Sequence, residues 1–172
     1  MTRYFMRNSL LTPVAAGVLL ALAGTAQGAT KMTTFQVSAT VVKNCVMSAA
    51  AMNLGTFDGT NNLTGSSNIS INCTAGTPFT VDLNAGSSGS YAMRTLKSAT
   101  DTLNYNLYTT SGYTTVWGDK TGATGQGNGT GAGMAAGQVQ TLTVFGRLLA
   151  TDNPQSFGAG TYTDTITATI TY

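Results

Sequence analysis

The chain has 172 residues, of which only 8 are Lys or Arg and 6 are acidic, with no His. All six acidic residues are Asp, so Ser-His-Asp and Cys-His arrangements are excluded and the commonest general acid and base is missing. The remainder is rich in Gly, Thr, Ser and Asn and lacks the basic excess on which binding to nucleic acid or anionic membranes depends.

The first residues predict a secretory signal peptide over residues 1–28: Arg3 and Arg7 form a basic start, Leu10 to Ala23 an apolar run, and Ala26 and Gly28 a small-residue cleavage site. The apolar run is shorter than the roughly 20 residues needed to span a bilayer, and no later stretch could cross one. Cleavage after Gly28 leaves residues 29–172, enough for one domain with a modest core. Its six basic residues, Lys31, Lys43, Arg94, Lys97, Lys120 and Arg147, balance Asp58, Asp82, Asp101, Asp119, Asp152 and Asp164, for a formal charge of zero.

Next comes an alternating run, with Phe35, Val37, Ala39 and Val41 on one side and Thr34, Gln36, Ser38 and Thr40 on the other. Cys45 and Cys73 are the only cysteines, and an oxidising compartment makes a disulfide between them the expected state; no CxxC pair or His suggests a redox or metal role. Met47 to Met52 is Ala- and Met-rich and suits at most one helical turn. Strands are expected near Asn68 to Cys73, Phe79 to Asn84, Leu103 to Thr109 and Val139 to Leu149, with a short one around Thr114 to Trp117.

The segment Thr121 to Gly137 is Gly-rich and nearly free of apolar side chains, and is expected to be a mobile loop. Gly127, Gly129 and Ala132 formally satisfy G-x-G-x-x-A, but a nucleotide turn requires a buried strand before it and a helix after it, and this composition offers neither. Asp58, Asp101, Asp119 and Asp152 sit beside turn-forming residues and are read as backbone caps. Trp117, Tyr91, Tyr105, Tyr108 and Tyr113 suit either core packing or stacking on sugars.

The last run, Thr161 to Tyr172, alternates most cleanly. Tyr162, Asp164, Ile166, Ala168, Ile170 and Tyr172 share one face, and five threonines from Thr163 to Thr171 share the other. The pattern is that of an all-β sandwich. A regular sandwich would close with one further strand beyond Tyr172. Without it the fold would carry a groove of apolar side chains and unpaired backbone that invites an added strand. The run from Phe35 to Val41 suits that role on a neighbour, and it equally suits the first strand of its own sandwich.

Asn44-Cys45-Val46, Leu54-Gly55-Thr56-Phe57, Ser70-Ile71-Asn72-Cys73-Thr74, Arg94-Thr95-Leu96, Leu103 to Tyr108, Trp117-Gly118-Asp119, Val144-Phe145-Gly146-Arg147 and Gly160 to Ile166 occur in one order across the chain. Together they resemble the spore coat protein U domain family, which includes subunits of archaic, Csu-type chaperone–usher pili. The resemblance implies an incomplete immunoglobulin-like β-sandwich lacking its final strand, with residues 29–42 as a donor segment and 43–172 as the pilin domain. It implies that Cys45 and Cys73 form the family's disulfide and that Phe35, Val37, Ala39 and Val41 are the donor strand. Ile166, Ala168, Ile170 and Tyr172 would line the groove where a periplasmic chaperone, and then a donor strand, binds.

Like subunits and an outer-membrane usher complete the implied partners, and a surface fibre for adhesion and biofilm formation is the implied function. A single domain suits a shaft or minor subunit better than a two-domain tip adhesin. No cofactor, metal or catalytic residue is expected. The other reading of the residues is a monomeric secreted or spore-coat sandwich that binds carbohydrate through aromatics such as Trp117.

Overall fold

Alternation of apolar and polar side chains fixes each strand's inner face, and in the computed structural model, which describes residues 27–154 and 156–172, these strands form two antiparallel sheets. The strands are β1 (Cys45–Ala49), β2 (Leu63–Cys73), β3 (Pro78–Leu83), β4 (Arg94–Lys97), β5 (Thr102–Tyr108), β6 (Gly127–Thr130), β7 (Gln140–Leu148) and β8 (Ala168–Thr171). One sheet has the order β1-β2-β7-β5-β4 and the other β6-β3-β8. The result is an all-β sandwich. Residues Thr40–Tyr172 form one compact unit, and residues through Ala39 fall in another. All but the last two residues of the expected signal peptide lie outside the described residues.

The core is made of the inward sets that alternation predicts: Ile69, Ile71 and Cys73 from β2, Phe79, Val81 and Leu83 from β3, Leu103, Tyr105 and Leu107 from β5, and Val144 and Leu148 from β7. Burying one such aliphatic or aromatic side chain contributes roughly 1.5 to 3 kcal/mol. The expected disulfide joins Cys45 and Cys73, which face each other across the β1–β2 ladder with Cα atoms 4.1 Å apart.

Several expectations are corrected. Met47 to Met52 is no helical turn, because Cys45–Ala49 pairs residue by residue with Ile69–Cys73. The Gly-rich segment is no free loop: Gly127–Thr130 forms β6, paired with Pro78–Val81. Its glycines permit close approach, since a Cβ on Gly127 would fall 2.5 Å from the Trp117 ring and one on Gly129 would fall 2.6 Å from the Phe79 ring. Thr114 to Trp117 makes only isolated bridges, Tyr108 to Val116 and Trp117 to Gly125. No strand is assigned from residue 27 to 44, so Phe35 to Val41 is not a strand of its own sandwich. Arg94–Lys97, which the alternation had not flagged, forms the edge strand β4.

Trp117 is a core residue, 1% exposed, with its indole N–H donating to the Val81 carbonyl at 2.8 Å. It is not available to stack on a sugar. The turn reading of the aspartates is met at Asp58, which accepts from the amides of Thr60 and Asn61 at 2.8 Å each. These bonds, those from Asn61 foremost, hold its carboxyl well below the usual range.

Candidate functional site

The last run alternates as predicted, with Tyr162, Asp164, Ile166, Ala168 and Ile170 half-buried and every threonine from Thr161 to Thr171 exposed. Only its end enters a ladder, where Ala168–Thr171 pairs with Thr80–Leu83. Before that, among the described residues, the main chain from Phe157 to Ile166 is hydrogen-bonded to another main-chain segment at one place, the reciprocal Thr163–Lys97 pair at 2.8 and 3.0 Å. Facing it is Ala51 to Phe57, the extension of β1, whose main chain makes no hydrogen bond to another main-chain group among the described residues.

These two segments are the walls of an open cleft. Between Ala49–Leu54 and Asp164–Ala168 it holds a cavity of about 280 Å³, floored by Ile69, Leu83, Tyr105, Leu107 and Val144. Between Met52–Asp58 and Phe157–Tyr162 it holds a second of about 620 Å³, floored by Leu63, Leu103 and Leu148. Met52, Leu54 and Leu96 border both and form the waist. Met52 and Leu54 sit over Gly146 and Gly65, where any Cβ would strike them. At the far end the walls meet through Phe57 and Phe157, whose ring centroids are 5.1 Å apart.

Of the four residues named for the groove, Ile166 and Ala168 line the first cavity. Ile170 pairs with Val81 and packs on the core, while Tyr172 lies outside both cavities and is half-exposed. The Ala49–Asp58 wall was missed by sequence reasoning; the period-two spacing of Met52 and Leu54 was the available signal. Phe35, Val37 and Val41 are 83%, 82% and 82% exposed, and Ala39 is exposed with them.

Asp164 brings a carboxylate into the lining of the first cavity. Asp164 accepts from the Tyr105 hydroxyl at 2.8 Å and from the amides of Ser87 and Thr165 at 2.9 Å each. Burial first, and Asp164 second, push the Tyr105 hydroxyl far above the ordinary tyrosine value of 10.0. The folded state thus favours neutral Tyr105. That stability is complete below about pH 10 and is lost as pH rises further. Tyr105→Phe is expected to flatten the fall of the thermal midpoint between about pH 9 and about pH 11. The slope that persists belongs to Tyr91, which is raised by burial and by Asp119. An unchanged slope would refute the assignment.

No curated protein matches the chain. Among solved structures it is similar to a chain in the CsuC–CsuE chaperone–tip adhesion subunit pre-assembly complex from archaic chaperone–usher Csu pili of Acinetobacter baumannii. Identity is 27% and the TM-score 0.55, over 77% of this chain and 40% of that one, so the match spans only part of its neighbour's length. The model of the Spore Coat Protein U domain matches residues 31–169, nearly all of the chain after the expected signal, and the chain therefore belongs to the Spore Coat Protein U domain family.

Proposed function

We propose that this chain is a structural subunit of an archaic chaperone–usher pilus, exported through the periplasm and polymerised by donor-strand exchange into surface fibres for adhesion and biofilm formation. The observation that carries this reading is the cleft, whose two walls, largely without main-chain partners among the described residues, flank a mostly apolar floor. That arrangement suits one inserted strand, which would satisfy backbone groups on both sides while its alternate side chains fill the cavities.

The segment of residues 29–42 has the matching pattern. Phe35, Val37 and Val41 would each contribute roughly 1.5 to 3 kcal/mol when moved from solvent into such a cleft. The similar solved chain comes from a chaperone–subunit pre-assembly complex, which supports a periplasmic chaperone as a partner; in this reading the chaperone fills the cleft first and a neighbouring subunit's strand follows it.

Deleting Ala29 to Val41 is expected to leave a folded domain that forms no fibres by electron microscopy, and that still binds a synthetic peptide of residues 29–43. Long polymers of the truncated chain would overturn the proposal.

A further inference from the structure

Four exposed apolar side chains lie outside the cleft, around the root of the amino-terminal segment: Val42 (72% exposed), Val46 (57%), Met134 (43%) and Val139 (47%). They belong to one face. Val46 is the cross-strand partner of Asn72, and Val139 immediately precedes Gln140, the partner of Ile71. The Asn72 side-chain amide donates to the carbonyls of Met134 and Ala135 at 3.1 and 3.3 Å, holding that loop beside the two valines.

The root itself is fixed. The Thr74 hydroxyl accepts from the Asn44 amide at 3.1 Å and lies 3.3 Å from the carbonyls of Val42 and Asn44, while the Thr74 amide donates to the Asn44 carbonyl at 2.9 Å. Only Val42, Lys43 and Asn44 separate Val41 from the disulfide-bonded Cys45. From Val41 to Cys45 the chain reaches at most about 14 Å.

We infer that Val42, Val46, Met134 and Val139 form a second contact surface between subunits, and that its occupant is the second copy of this chain whose cleft holds Phe35 to Val41. The inference rests on the donor-strand reading above. A body gripping the segment through Val41 has no room to stand away from a root so short and so firmly bracketed. It must abut the face that carries the four apolar side chains, and burying them there stiffens the junction.

The test places the photo-cross-linker p-benzoylphenylalanine at Val46, at Val139 and, as a control, at Thr169 on the exposed threonine face, in the full-length chain assembled into fibres. Cross-linking to the adjacent subunit is expected to be at least about fivefold stronger from Val46 and Val139 than from Thr169, and to vanish in the chain lacking Ala29 to Val41. Fibres that require Ala29 to Val41 yet give no excess at Val46 and Val139 would overturn this contact while leaving the donor-strand reading intact. Fibres that survive the deletion would remove that reading and the contact together.

Discussion

Arg94→Met is expected to lower the unfolding free energy by about 4 kcal/mol, read from urea denaturation followed by Trp117 fluorescence. Arg94 is fully buried, and among the described residues its guanidinium contacts no carboxylate within ion-pair distance; its partners are oxygens of neutral groups. Nη1 donates to the Asn106 side-chain oxygen and Nη2 to the carbonyls of Asn84 and Trp117, each at 2.7 Å, while Nε donates to Asn84 at 3.1 Å. The Tyr91 ring stacks at 5.3 Å.

Desolvation pulls the guanidinium's pKa down, so the cation is unfavourable there by itself, and removing it returns part of what is lost. What methionine cannot replace is the fork. The carbonyls of Asn84 and Trp117 would be left dry, each at about 1 to 3 kcal/mol, while the Asn106 side-chain oxygen would keep only the Leu107 amide. Arg94→Lys keeps the charge but not the planar geometry and should recover less than half of the loss. A loss under about 1 kcal/mol for Arg94→Met would show that the hub is replaceable by packing alone.

The double variant Cys45→Ala, Cys73→Ala is expected to lose about 3.5 kcal/mol, from the loop-closure entropy of a 28-residue separation. The loss should not fall evenly. β1 has a single sheet neighbour, β2, and the disulfide sits at the end of that pairing from which the amino-terminal segment departs. Without it, amide exchange should accelerate first at Val46 to Ala49, before the β2–β7 ladder opens. Since β1 continues directly into the Ala51 to Phe57 wall, peptide binding by the cleft should weaken in parallel. Uniform exchange across both sheets would show that the bond acts only on the unfolded chain.

The parts of the fold legible in the sequence are those where one side chain in two is buried. Ile69 and Ile71, Phe79 and Val81, and Leu103 and Leu107 declared their strands because the period matches the pleat. The alternation of Tyr162 to Ile170 likewise gave the correct inner face, although of those residues only Ala168, Thr169 and Ile170 enter a ladder. β6 was hidden for the opposite reason: its inward positions are Gly127 and Gly129, which carry no apolar signal because the aromatic rings opposite occupy the space.

Arg94 was equally opaque, since a lone cation in a short run reads as surface until Asn106 and the Trp117 carbonyl are brought to it by folding. Half of the cleft was readable. The Ile166 and Ala168 wall announced itself by period. Its partner from Ala51 to Phe57 did not, because three alanines before Met52 mimic a helical turn and only tertiary contact draws them out as an extended wall.

With a strand seated as proposed, the wall amides and carbonyls that lack main-chain partners would also set a mechanical property. Hydrogen bonds to a strand seated between them would run across the strand's length, so tension applied along that strand meets them side by side. Such a joint is loaded in shear. All its bonds must yield nearly together, and its lifetime under pull is governed by a single high barrier and not by bonds parting one at a time from an end.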